Sequence, residues 1–287
     1  MKNGPREVWV KRSAVRLAVR EFPGGRPPIV FLHGLASSSR IFDQVIRHLV
    51  PDHRCVAFDQ RGHGRSSKPD SGFGFDQTAA DCAAVIQRLR LGRPVLVGHS
   101  WGASVALATA ARYPKRISKL VLVDGGMMSL RERMDWKTAK QQLAPPRLDG
   151  VQIDEYLGMV RGFYGSVLKW TPEIEAVFRS YVRVDGSGHI RPNLSFRNHL
   201  RILRAMWEEN TFGLLRKVRA PILIIAAKTK GAKGMEKRFL EAKQEVVPRI
   251  RALGLRVEWM EGIHDLPLQK PAALARRIRR FASTMDS

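Results

Sequence analysis

The chain has 287 residues, 44% of them hydrophobic, which is enough for one large core with an inserted subdomain, and no run approaches the roughly 18 apolar residues that span a bilayer. Its two cysteines, Cys55 and Cys82, exclude a disulfide framework and a cysteine-built metal site, and residues 1–7 lack the apolar centre of a secretory signal, so a reduced, cytoplasmic protein is expected. Against 26 Asp and Glu stand 50 Lys and Arg, a formal net charge of +24, which predicts salt-sensitive, nonspecific association with anionic surfaces and attraction of acidic substrates.

Strands and helices alternate along the chain, which predicts an α/β fold with a mostly parallel sheet covered on both faces. Residues 8–10 and 15–20 read as an opening antiparallel pair. Apolar, β-branched runs follow at Ile29–Leu32 and Cys55–Phe58, with helices expected near 41–50 and 77–91. The first run ends in a His33-Gly34 turn, and the second leads into Asp59-Gln60-Arg61-Gly62-His63-Gly64-Arg65-Ser66. Residues 95–97 form the next buried strand, Trp101–Arg112 a helix of small residues stopped by Pro114, and 120–123 a sixth strand. After a long interruption come strands at 222–226 and 256–260 and helices at 235–253 and 271–284, with Pro248 expected to kink or split the former. The last helix carries Arg276-Arg277-Ile278-Arg279-Arg280, read as the solvated face of a helix that docks Leu274, Ile278 and Phe281. A membrane-surface or nucleic-acid role is the competing assignment. No helix-turn-helix, zinc-finger or RNA-binding signature supports a specific nucleic-acid partner.

Between the fifth strand and its helix lies Gly98-His99-Ser100-Trp101-Gly102. A serine on so sharp a strand-to-helix turn must accept a strained backbone, and flanking glycines keep Cβ atoms out of the crossing. This is the G-x-S-x-G nucleophile elbow. Together with His33-Gly34, the Asp59 to Ser66 stretch and a late histidine in Gly262-Ile263-His264-Asp265, in that order over nearly the whole chain, it makes the sequence resemble the α/β-hydrolase superfamily. The resemblance implies the α/β-hydrolase fold, with residues 1–124 and 218–287 as the core domain and 125–217 as an inserted helical cap. The 125–217 segment has no strong buried-strand run; it shows polar helical patterns, Pro145-Pro146 and several large apolar residues. Met127, Met128, Trp136, Phe163 and Trp207, with Met134, Tyr164 and Trp170, are candidates for an apolar acyl or alcohol pocket, the competing assignment being the cap's own small core. Residues 195–207 read as an amphipathic helix capped by Ser195, on which His199 is structural.

A serine hydroxyl is a poor nucleophile near neutral pH and needs a base within hydrogen-bond reach. The resemblance gives that role to His264, which follows the last strand. It places the acid most often after the seventh strand, but that loop reads Lys228-Thr229-Lys230-Gly231-Ala232-Lys233-Gly234 and holds none. Some family members take their acid from the end of the sixth strand, where this chain has Asp124; Glu236 and Glu241, just beyond the empty loop, are the alternatives. Asp265, adjoining the base, is poorly placed. The resemblance further implies backbone N–H groups of Leu35 and Trp101 as oxyanion donors, with His33 and Gly34 shaping the turn and lying against substrate. Ser100 excludes the aspartate-nucleophile chemistry of dehalogenases and epoxide hydrolases, and Gly34-Leu35-Ala36 departs from the Gly-Gly-Pro of proline iminopeptidases. The expected function is hydrolysis of a small carboxylic ester through an acyl-enzyme on Ser100, with no metal or organic cofactor called for. Lactone, thioester, amide and C–C bond cleavage use the same residues and stay open, as does a hydrolase-fold ligand receptor.

Overall fold

The computed structural model describes residues 4–284, so the first three and last three residues of the expected core domain lie outside the described residues. The strands are β1 (Arg6–Arg12), β2 (Val15–Phe22), β3 (Ile29–Leu32), β4 (Cys55–Phe58), β5 (Val95–His99), β6 (Lys119–Val123), β7 (Val182–Val184), β8 (Ile190–Pro192), β9 (Ile222–Lys228) and β10 (Arg256–Glu261). Eight of them form one sheet in the order β1-β2-β4-β3-β5-β6-β9-β10, while β7 and β8 pair separately. β1 and β4 both run antiparallel to β2; every other pairing in the large sheet is parallel. The helices are α1 (Asp43–Arg47), α2 (Phe75–Arg88), α3 (Trp101–Arg112), α4 (Trp136–Leu143), α5 (Ile153–Tyr164), α6 (Pro172–Arg179), α7 (Phe196–Glu208), α8 (Thr211–Lys217), α9 (Gly234–Arg251), α10 (Leu266–Gln269) and α11 (Pro271–Ala282).

Every residue of β3, β4, β5 and β6 is buried, because crossover helices cover both faces of a parallel sheet. The two-residue alternation of strand side chains divides these apolar runs between two cores. Val30, Leu32, Leu96 and Leu122 pack with α2, α3, α8 and α9. Ile29, Phe31, Val97 and Val123 pack with α1, α11 and the buried side chains of α5 and α6. On α11, Leu274, Ile278 and Phe281 lie in the second core, while Arg280 stays on the outer face and pairs with Glu258 at 3.0 Å.

Three local expectations are revised. The helix expected over 41–50 is the five-residue α1, preceded by a 3₁₀ turn at Ser39–Phe42 that Ser38 caps. α9 runs as one helix through Pro248, which falls in its last turn, so the missing N–H frees only one carbonyl close to where the helix ends. Residues 125–217, between β6 and β9, hold α4 to α8 and also the β7–β8 pair. These strands have three residues each and expose Arg183, Val184 and Arg191, which leaves no apolar run for a sequence reading to detect.

Candidate active site

The strand-to-helix turn at Ser100 is built from steric necessity. Ser100 has φ 55° and ψ −123°, a conformation that L residues rarely adopt, and its N–H is held by the Val123 carbonyl at 2.9 Å. A Cβ on Gly102 would lie 2.1 Å from the Leu32 carbonyl oxygen, and one on Gly98 2.3 Å from the Gly102 oxygen. Hydrogen is therefore the only side chain that either position accepts. At the neighbouring strand end, Asp124 also has positive φ (45°), and a Cβ on Gly125 would meet the Ser100 oxygen at 2.1 Å. The end of β6 thus turns directly against the serine, bringing Asp124 into the site.

His264 arrives from the loop after β10. The Gly262 N–H donates to the Lys228 carbonyl (3.2 Å), the Ile263 N–H to Gln269 Oε1 (2.9 Å), and the His99 ring Nε2–H to the His264 carbonyl (3.0 Å). So held, the His264 ring places Nδ1 2.7 Å from Asp124 Oδ2 and Nε2 2.9 Å from Ser100 Oγ. A carboxylate on one side fixes the proton on Nδ1, leaving the Nε2 lone pair to accept the serine hydroxyl. Asp124 also accepts the Ala227 N–H (2.8 Å) and the buried ammonium of Lys243 (3.0 and 3.3 Å). Burial would raise the pKa of this carboxyl, but the hydrogen bond and charge of His264, then Lys243 and the Ala227 N–H, outweigh it and hold it at about 2. For His264 burial acts downward, and the hydrogen bond and charge of Asp124 overcome it, so its pKa lies above the ordinary 6.5. About half of the His264 side chain is exposed, leaving the ring open to an incoming molecule. His99, enclosed beside it, is pushed down to about 4 by burial and then by the His264 charge, and is neutral at pH 7.

Trp101 follows the serine directly, and Gly34, the residue before Leu35, lies against it, a Cβ there falling 3.1 Å from the Ser100 Cβ. Among the described residues, neither the Leu35 nor the Trp101 N–H donates to a protein acceptor. The Leu35 turn is braced by two histidines: His33 Nδ1–H donates to the Gly34 carbonyl (2.8 Å), and its Nε2 accepts the Gln60 N–H (3.0 Å). The next residue, Ala36, has φ 56° and donates its N–H to His63 Nε2 at 3.2 Å. The His63 ring, neutral through burial, stacks on the Trp101 indole at 5.2 Å between centroids and so ties the two turns together. His33, expected against substrate, is fully enclosed behind the turn, and the Trp101 indole is buried in the core. Gly34 does face the site, since a Cβ there would lie 3.1 Å from the Ser100 Cβ.

The apolar candidates from 125–217 are not gathered into one pocket. Met127 is 1% exposed within the core. Met128 lines a cavity of about 330 Å³ with Leu130, Met134, Met235 and Phe239. Trp136 and Trp207 pack on each other at 6.2 Å beneath Arg204, and the Trp207 Nε1–H donates to the Met134 carbonyl. Phe163 is 80% exposed, meeting Tyr164 edge-on. A second cavity of about 120 Å³ opens beside the Leu35 turn, lined by Ala36, Ser37, His63, Tyr181 and His199 among others. Glu236 is exposed and Glu241 pairs at the surface with Lys237 (3.8 Å); neither hydrogen-bonds to His264. Asp265 accepts the Tyr164 hydroxyl at 2.5 Å. Sequence reasoning missed Lys243 and the bracing role of His63; the latter had a signal in its position within the Asp59 to Ser66 stretch. Among the described residues no cluster of three His, Cys, Asp or Glu is arranged to hold a metal ion.

The comparisons with known proteins agree with this architecture. A family model described as the alpha/beta hydrolase fold matches residues 27–152. The 2-(acetamidomethylene)succinate hydrolase of Mesorhizobium japonicum is 31% identical over 212 residues, 74% of this chain and 73% of that protein. The chain belongs to the α/β-hydrolase family. Within that family, the poly(3-hydroxyalkanoate) depolymerase of Ectopseudomonas oleovorans is 28% identical over 63% of both chains. The crystal structure of E-2-(acetamidomethylene)succinate hydrolase superposes with a TM-score of 0.79 over 98% of this chain and all of that one, at 24% identity. Est816, described as an N-acyl homoserine lactone degrading enzyme, gives 0.67 over 96% and 100% at 22% identity. These structural likenesses carry the α/β-hydrolase fold, and the curated relatives named are hydrolases or depolymerases.

Proposed function

We propose that this α/β-hydrolase is a serine hydrolase that cleaves carboxylic esters through an acyl-enzyme on Ser100. The observation that carries the reading is the continuous Ser100–His264–Asp124 hydrogen-bond chain, 2.9 and 2.7 Å long. Ser100 Oγ attacks the carbonyl carbon as His264 Nε2 takes its proton. Asp124 keeps the ring oriented and stabilises the imidazolium, and the Leu35 and Trp101 N–H groups receive the oxyanion. The imidazolium then protonates the leaving alcohol, and water activated by the same nitrogen releases the acid. Residues 125–217, as a cap over this site, supply the substrate-facing walls, Met128 among them. The +24 charge favours acidic esters at low ionic strength, and two buried free cysteines fit a reducing, cytoplasmic setting.

A second reading, amide hydrolysis by the same residues, is favoured by the likeness to the acetamido-named relative. Initial rates on p-nitrophenyl esters of increasing acyl length, beside an N-acetyl enamide, separate the two. The proposal expects ester turnover that Ser100→Ala abolishes, and kcat/KM falling as pH drops through the raised pKa of His264, above 6.5, where the base becomes protonated. Saturable ligand binding without turnover would favour a receptor instead.

A further inference from the structure

Lys243 is 7% exposed, and its ammonium has three partners at once: Asp124 Oδ1 at 3.0 Å, Asp124 Oδ2 at 3.3 Å and the Ala227 carbonyl at 2.6 Å. It reaches the site from α9, 119 residues along the chain from Asp124. Residue 227 brackets the pair, its N–H on the carboxylate and its C=O on the ammonium. With His264 on Oδ2, both carboxylate oxygens carry two donors each, and the group has no freedom to rotate away from the imidazole.

We propose that Lys243 is a positioning residue of this site, one whose positive charge both locks Asp124 toward His264 and sets the pH at which His264 becomes a working base. The inference rests on the serine–histidine–aspartate reading above. Its logic is electrostatic. A carboxylate that serves histidine alone lends its whole charge to the imidazolium. Here an ammonium within 3.3 Å draws on the same charge in a buried, weakly screened setting, so the imidazolium is stabilised less. The other groups facing the cluster do not cancel this effect. Asp265, from the loop after β10, favours the imidazolium; His99 on β5 is neutral at pH 7; and the Tyr164 hydroxyl on α5 stays protonated, engaged with Asp265. Lys243 is the one cation among them. The same charge makes Asp124 the natural acid of a site whose β9 loop offers none.

The test follows the His264 ring by NMR titration in the full chain, a readout that needs no substrate and survives failure of the esterase assignment. It is made alongside the pH profile of kcat/KM. Lys243→Met removes charge and hydrogen bonds; Lys243→Gln keeps a donor but not the charge. Both variants are expected to raise the His264 midpoint by about one pH unit and carry the acid limb of activity with it, while Gln keeps more of kcat than Met. Lys243→Arg, which keeps the charge, should titrate as the parent does. A folded Met or Gln variant with an unmoved midpoint overturns the proposal, and so does an Arg variant that shifts as far as Met. If neither neutral variant folds, a shifted midpoint in Arg alone overturns it and an unshifted one supports it. Loss of the parent's esterase activity with an unchanged response of His264 to Lys243 would count against the esterase reading only.

Discussion

The carboxyl end of the sheet and the 125–217 segment meet near Ser100 but are built on opposite terms. At the carboxyl end of the sheet the four central strands are wholly buried, Ser100 and Asp124 hold positive φ, and Gly98 and Gly102 leave no room for a methyl group. The segment between β6 and β9 contains most of the large hydrophobics that stand open to solvent: Met159, Phe163, Val167 and Val184. Gly158 and Gly162 on its helix α5 have open space where a Cβ would go. The tightly packed strand ends fix the geometry of the polar groups, while the segment between β6 and β9 leaves large apolar side chains in solvent. Hydrogen bonds that join the regions close to the site include Tyr164 to Asp265, Gln269 to the Val167 carbonyl at 3.0 Å, Ser37 to Tyr181 at 3.0 Å and Ser38 to Ser180 at 2.7 Å.

Substitutions in each region test the difference between them. The largest effect is expected at Asp124. Asp124→Asn should lower kcat by about 10⁴ through loss of imidazole orientation. It should also lower thermal stability, because Lys243 is left buried without its counter-charge, a loss of about 3–5 kcal/mol for a broken buried pair. Adding Lys243→Met should recover stability in a melting experiment without recovering turnover. Near-normal kcat in Asp124→Asn would give the acid role to another carboxylate. Next in size, Gly102→Ala must displace the Leu32 carbonyl and should cost about 1–3 kcal/mol in denaturant unfolding, with activity falling as the elbow shifts. The smallest effect belongs to the other region. Gly158→Ala and Gly162→Ala, helical and unobstructed, should each stabilise by about 0.5–1 kcal/mol and leave kcat unchanged. Destabilisation there would mean that α5 is more tightly constrained than its open surroundings indicate.

The same contrast explains what the sequence could tell. Strands such as Ile29–Leu32 and Cys55–Phe58 are continuous apolar runs because both their faces are covered, so composition alone reveals them. The glycines around Ser100 are forced by contacts of little more than 2 Å, and such positions advertise themselves. Asp124 could be reached because the loop after β9 has no acid. Lys243 could not, since one lysine among 50 basic residues carries no local mark of being buried. Nor could the fate of the aromatic and methionine candidates: the helices of 125–217 pack against two different cores and against each other. Whether Met127 meets the core, Met128 a cavity or Phe163 the solvent therefore depends on packing that no periodicity encodes. Pro248 misled for a simpler reason, its harmlessness in the last turn of α9 depending on an end point that the sequence does not mark.

The proposed mechanism requires that Ser100, activated by His264, forms the covalent bond. The direct measurement is intact-protein mass spectrometry after exposure to a fluorophosphonate, followed by peptide mapping of the parent, Ser100→Ala and His264→Gln. A single stoichiometric adduct on Ser100, absent in the alanine variant and formed far more slowly without His264, is the predicted result. Labelling that persists in Ser100→Ala, or a parent protein that stays unlabelled while it turns over esters, would rule out Ser100 as the nucleophile.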